Sequence, residues 1–225
     1  MFALARFEDV LRLAPKNLSR PLEEAIADII VSTFVNKVVP DVGLIVTLYD
    51  ILSIKGGDIH AGESSPMYTC VFRLVVFRPL VGEVLNGQVK RCTRAGVHMT
   101  LGFFEDILIP EHCLQEPSIY AQAQDAWLWK YNGNDMYMDV GETVRAQVME
   151  VAFPACPTPQ ALHDAAAQGR ADPGTASNPF APMTVEGFVN GSGLGMASWW
   201  EDAGGGDEDG GAEGSEGQPL SEDAG

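Results

Sequence analysis

GEVLNGQVKRCTRAGVHMTLGFFEDILIPEHCL, residues Gly82 to Leu114, carries three strand signals in succession. Gly82–Arg91 reads as a strand that Gly87 allows to bend. Cys92–Ala95, with Arg94 and Gly96, supplies a tight polar connection. Val97, Met99 and Leu101 then alternate with His98 and Thr100, the period of a half-buried strand. After a break at Gly102–Asp106 comes Ile107-Leu108-Ile109, which Pro110 terminates. The run reads as the opening three strands of an oligonucleotide-binding (OB) barrel. Such barrels bind single-stranded nucleic acid on their second and third strands and the flanking loops. Lys90, Arg91, Arg94, His98, Phe103 and Phe104 fall there and are the candidate RNA contacts.

Downstream, Ala126–Tyr131 (AWLWKY) is an aromatic strand and Asn132–Asp135 a turn. Met136–Phe153 gives two short strands around Asp139–Glu142, and Thr184–Asn190 closes the barrel. Pro154–Pro182, rich in Ala, Pro, Gly and Asp, is expected to be a flexible insertion before that last strand. The barrel domain is therefore placed at 81–200.

Upstream, residues 1–80 read as an α+β unit, a helix on an antiparallel sheet. Phe2–Phe7 and Val10–Leu13 are strand segments. Ser19 opens a helix with Pro21, Glu23 and Glu24 in its first turn. Leu22, Ala25, Ile26, Ile29, Ile30, Thr33 and Phe34 follow the i, i+3, i+4, i+7 rule and form one apolar face. Val42–Ile51 and Tyr68–Phe77 are β-rich runs joined by a Gly/Ser/Pro turn region, Lys55–Pro66. The predicted fold class is α+β: an N-terminal helix-on-sheet domain followed by an all-β OB barrel.

Net charge bears on partners. The chain carries −17, but nine of its 31 acids and no Lys or Arg lie in 201–225, leaving −8 for the first 200 residues. That Gly/Glu/Asp tail cannot bury a core and is expected to be disordered. The remaining acidity argues against strong autonomous phosphate binding and for a modest RNA contact made within a larger assembly. No run approaches the ~18 apolar residues of a membrane span, and no secretory signal is readable, so neither membrane nor export is expected. Cys70, Cys92, Cys113 and Cys156 are too scattered for a zinc ribbon or disulfide framework and read as reduced thiols, mostly buried.

Each candidate residue also has a plainer reading. Lys90, Arg91 and Arg94 concentrate three of 14 cations into five positions, as phosphate contacts or as a solubilising strand end. Phe103 and Phe104 must point to opposite sides, one into the core and one outward. Trp127 and Trp129 share a strand face and either stack on bases or pack in the core or between the domains. Trp199 and Trp200 either seal the barrel onto the first domain or mark a partner contact. His60, His98, His112 and His163 lack metal-ligand spacing, and Gly191–Gly195 is not followed by a helix. A His98–cysteine dyad has no orienting third group. No catalytic residue, metal or cofactor is therefore assigned.

Several motifs together resemble a known family: MF-L at the start, NKVV-VGL at 36–44, VVF-P at 75–79, GVH-LGFF-DILIP at 96–110, W-W-Y at 127–131, MYMD-GE at 136–142 and GLG-SWW at 193–200. The chain is similar to the larger stalk subunit of eukaryotic RNA polymerase III, a relative of the seventh subunit of polymerase II and of the corresponding archaeal polymerase subunit. The resemblance implies a non-catalytic nuclear subunit that pairs with the smaller stalk subunit, supports transcription initiation on the polymerase III core and offers its barrel to single-stranded RNA. It implies a tip loop at Lys55–Pro66 and a partner surface on the N-terminal unit, assigned to Phe2, Leu4, Leu44, Val46, Leu48, Val75 and Phe77. The weighed alternatives are a free-standing OB-fold RNA-binding factor of translation or RNA decay, and a hydrolase using the barrel as a substrate platform.

Overall fold

Phe2–Arg12 is one continuous strand, β1, rather than two segments. Its eleven residues pair antiparallel with β4, Met67–Phe77, from Phe2 opposite Phe77 to Arg12 opposite Met67. Glu8 and Asp9 interrupt the apolar pattern but stand exposed on the ladder, so no break is needed. The computed structural model describes residues 1–155, 158 and 181–201. Most of the 154–182 insertion, with Cys156, and all of the acidic tail beyond Glu201 lie outside the described residues.

The first sheet has the order β1-β4-β3-β2, with β2 at Val38–Val39 and β3 at Gly43–Asp58. One face is covered by α1, Leu22–Phe34. Ile26 and Ile30, fully buried, pack with Cys70, Phe72, Leu74 and Val76 of β4. Burial of each such side chain contributes about 1.5–3 kcal/mol. Pro21, expected inside the first turn, is the N-cap itself, and Glu23 and Glu24 occupy the positive end of the helix dipole. β3 outruns its expected end at Ile51: it pairs with β4 as far as Asp58 opposite Met67, through four bulges. Lys55–Asp58 therefore belongs to the strand, and the connection expected at Lys55–Pro66 shortens to Ile59–Pro66.

The second sheet closes on itself. β5 (Val84–Thr93), β6 (Gly96–Thr100), β7 (Ile107–Pro110), β11 (Thr143–Ala152) and β12 (Thr184–Phe188) form a five-stranded barrel in the order β5-β6-β7-β12-β11, with β11 returning to β5. The β7–β12 contact is parallel and the others antiparallel. Leu85, Val89, Val97, Met99, Ile107, Ile109, Val144, Ala146, Val148 and Val185 fill the interior. Gly87 is required by the close approach of two strands: a Cβ there would lie 2.5 Å from the Thr100 carbonyl oxygen.

The aromatic strand is not part of the barrel. β9 (Ala126–Tyr131) pairs with β8 (Ser118–Ala121), a strand not expected from the sequence, and with β10 (Asn134–Met138) in a separate three-stranded sheet. Residue alternation reports that a segment is extended, but the sheet it joins depends on long-range pairing. The small sheet lies against the barrel through Trp127, whose indole N–H donates to the Thr93 carbonyl at 2.9 Å.

The two units share apolar packing. Phe77 of β4 belongs to the barrel's core cluster, and Val38, Leu44 and Val46 pack against it. Phe77 meets Phe2 (5.7 Å between centroids), Phe104 (5.4 Å) and Phe103 (5.0 Å, edge-on). Beside this junction the Met1 ammonium lies 2.9 Å from Glu83 Oε1, and Glu83 Oε2 accepts the Leu80 N–H. Burial acts against it, yet this cation and N–H hold the Glu83 carboxyl below its ordinary range.

Candidate nucleic-acid interface and partner surface

A bulge in β5 sets the geometry of the basic group. Val89 pairs with Met99 and Arg91 with His98, so Lys90 is the extra residue, and two cationic side chains stand where regular pairing leaves room for one. Lys90 is exposed and Arg91 half-exposed, both on the outer side of a strand whose Leu85 and Val89 point inward. Arg94 is exposed at the hairpin turn. Lys90 is ion-paired with Glu105; at this exposure such a pair contributes little and is readily exchanged. The three cations therefore occur together on one end of the barrel wall.

His98 shares the outer side of β6, but it is buried, 5% exposed, with Nε2 3.4 Å from Thr93 Oγ1. Burial, aided by the charges of Arg91 and Lys90, pushes its pKa down to about 4, so it is neutral at physiological pH. The expectation that His98 contacts RNA is corrected: neither its exposure nor its charge suits phosphate. Phe104 is corrected likewise, being 6% exposed and packed on Phe77. Phe103 is 49% exposed as the alternation required, yet its ring sits between Phe77 and Phe2 at the junction of the two units. Trp127 is fully buried, and Trp129 packs on Trp199 at 4.9 Å between centroids, so core packing, not an exposed stacking platform, is where the structure places this pair.

The face of the first sheet opposite α1 is open. Phe2 and Leu4, each about half-exposed, and half-buried Val75 form its apolar end next to the barrel. Its centre is polar: Arg73 Nε donates to Asp50 Oδ1 at 2.8 Å, a second guanidinium nitrogen reaches Oδ2, and the guanidinium lies 5.0 Å from the Tyr49 ring centroid. The Arg73 hydrogen bond, against an opposing desolvation effect, lowers the Asp50 carboxyl below its usual range. Four of the assigned partner residues lie elsewhere. Leu48 pairs with Leu74 and packs in the α1-facing cluster, Phe77 is fully buried, and Leu44 and Val46 are engaged with the barrel core. Bulges in β3 shift which residues share a face, and sequence alternation does not report them.

Two features escaped the sequence reading. Arg145 stands exposed between inward Val144 and Ala146 on β11, with Asn86 of β5 on one side and Gly195 of β13 (Gly195–Met196) on the other. The VRAQV alternation marks it as outward; its approach to β5 required the fold. The second is the polar Arg73–Asp50–Tyr49 group, in which Arg73 stands 23 residues from Asp50 and is brought to it by the β3–β4 pairing. Cys70, Cys92 and Cys113 are free and buried, as read. Burial pushes all three thiols up. Among the described residues no group of His, Cys, Asp and Glu is arranged to hold a metal, and no helix is long and apolar enough to cross a membrane.

Comparison with known proteins agrees with this arrangement. The family described as RNA polymerase III subunit Rpc25 matches residues 83–200, and the SHS2 domain found in the N terminus of Rpb7p and Rpc25p matches residues 8–64. The chain is 34% identical to DNA-directed RNA polymerase III subunit rpc8 of Schizosaccharomyces pombe, with 89% of this chain and 100% of that protein covered. It is 36% identical to subunit RPC8 of Bos taurus over 89% of this chain and 98% of the other. An archaeal polymerase subunit, Rpo7 of Saccharolobus shibatae, is 21% identical, covering 68% of this chain and 83% of its own length. With an SHS2 unit followed by a closed five-stranded OB-like barrel, the chain belongs to the RNA polymerase III subunit Rpc25 family.

Proposed function

We propose that this protein is the larger stalk subunit of nuclear RNA polymerase III, a non-catalytic component that pairs with the smaller stalk subunit and presents its barrel to emerging single-stranded RNA during initiation. The observation that carries the reading is the match to polymerase III subunits over nearly their whole length. The open sheet face supports pairing: Phe2, Leu4 and Val75 offer apolar area, and the Arg73–Asp50–Tyr49 group offers directional contacts beside it. That combination of an apolar anchor with desolvated polar partners is what a specific interface uses.

For RNA, Lys90, Arg91 and Arg94 act on phosphates, and affinity comes from released counterions rather than from base reading. The contact is weak because the body carries a net negative charge, and docking on the polymerase supplies the local concentration. The test is co-expression with the smaller stalk subunit followed by size-exclusion chromatography and by assembly onto stalk-depleted polymerase III. A stable one-to-one complex that restores promoter-dependent initiation is the expected result. A chain that stays alone and co-purifies with ribosomes or exosome components rejects the reading.

A further inference from the structure

The described chain ends beside the cationic wall. β13 runs antiparallel to the start of β11, with Met196 opposite Val144, and the Ala197 N–H donates to the Thr143 carbonyl at 2.9 Å. Ser198 Oγ donates to Glu142 Oε2 at 3.3 Å. The Glu142 carbonyl in turn accepts the Val89 N–H at 3.0 Å, and the next residue along β5 is Lys90. Trp199, packed on Trp129, and Trp200, whose indole N–H donates to the Leu194 carbonyl at 3.0 Å, pin this exit point.

Beyond it the sequence continues for 24 residues, 202–225, with eight carboxylates, eight glycines and no Lys, Arg or aromatic residue. A Gly-rich segment of this length spans roughly 25 Å, enough to cover the outer surface of β5 and β11 from where it starts. Tethering so close raises its local concentration at Lys90, Arg91, Arg94 and Arg145 to the order of millimolar. Arg94 and Arg145 have no carboxylate within ion-pair distance among the described residues. Arg12, Arg20 and Arg73 already hold carboxylates on the first unit. Opposite charge, short reach and a fixed point of departure meet at one surface.

We infer that the acidic segment 202–225 is an intramolecular competitor of RNA, occupying the cationic outer face of β5 and β11 until a nucleic acid displaces it. The inference rests on the RNA reading of that face and adds its regulation. The segment supplies the same multiple negative charges as a phosphate backbone, so it raises the threshold for RNA without abolishing binding. Exchange needs no change of fold, because the contacts are exposed and screened by salt.

The experiment uses the full-length chain paired with the smaller stalk subunit, in wild-type form and with all eight tail carboxylates replaced by amides. Zero-length carbodiimide cross-linking, mapped by mass spectrometry, reports contact independently of RNA. Tail carboxylates are expected to couple to Lys90 at least about fivefold more than to Lys16 or Lys55 at low salt, with the preference lost near 0.5 M salt. Oligouridine of about a dozen nucleotides is expected to bind the amide variant roughly tenfold tighter at about 50 mM salt, the gap closing at high salt. Cross-links spread evenly over the lysines, or equal RNA affinity for both proteins, overturn the inference. A retained Lys90 cross-link with no RNA bound by either protein supports tail docking and overturns the RNA reading instead.

Discussion

Trp127, on the small side sheet, donates its indole N–H to the backbone carbonyl of Thr93 at the end of β5, 2.9 Å away. One buried hydrogen bond thereby ties an inserted sheet to the hairpin that bears Arg91 and Arg94. Trp127→Phe keeps most of the ring volume and leaves that carbonyl without its donor, at a cost of about 1–3 kcal/mol. Trp127→Ala adds a cavity and costs about 3–5 kcal/mol. Urea denaturation of the two variants, read against wild type, checks the order.

Gly195 lies against the ring of Trp199, which packs on Trp129 of the same side sheet. A Cβ there would lie 2.7 Å from the Trp199 ring, at a backbone φ of +97°. Gly195→Ala is expected to expel Trp199 from Trp129 and destabilise the protein by about 1–3 kcal/mol. The change in tryptophan fluorescence on substitution reports the displacement, and an unaltered spectrum with unaltered stability contradicts it.

His98 makes stability depend on pH. Its folded-state pKa is about 4, below the ordinary value of 6.5, so the unfolded chain takes up the proton first as pH falls. Stability from this group is complete above about 6.5, falls as pH drops toward 4, and levels off below it; the total is about 3 kcal/mol. His98→Gln should flatten the stability profile between those pH values, as measured by chemical denaturation at a series of pH values.

Replacing Lys90, Arg91 and Arg94 together by Ala removes up to three phosphate contacts. The slope of log affinity against log salt for single-stranded RNA should fall by about 2. His98→Gln, by contrast, should leave affinity and slope at neutral pH unchanged, since the ring is buried and uncharged. A salt titration of RNA binding by the heterodimer separates the two outcomes, and an unchanged slope for the triple variant excludes those residues as the contact.

The open sheet face is tested at Leu4. Leu4→Glu places a charge on exposed surface, so folding should change by less than about 0.5 kcal/mol, whereas pairing with the smaller stalk subunit should weaken at least about tenfold. Leu48→Glu puts a charge into half-buried packing on the α1-facing cluster and should instead cost folding stability, about 1–3 kcal/mol. Calorimetric titration of the Leu4 variant with the partner, alongside its denaturation curve, checks both halves.

Much of this was legible along the chain. The alternation at Val97–Leu101 and the 3.6-period face around Ile26 and Ile30 report which side of the element each residue takes, because that side is set by local backbone geometry. The order of the segments and the shared motifs then identified an N-terminal α+β unit, a barrel and the family. The cationic group at Lys90, Arg91 and Arg94 was visible because its members are neighbours in sequence.

Tertiary structure alone decided which faces remained available. The bulges in β3 and β5 alter side-chain direction without leaving a mark on composition. The burial of His98, Phe77 and Phe104 comes from packing between segments distant in sequence, as do the membership of β9 in a separate sheet and the approach of Ser198 to Glu142. Strand character is a local property of the backbone, whereas exposure and proximity are properties of the closed barrel and the unit docked on it.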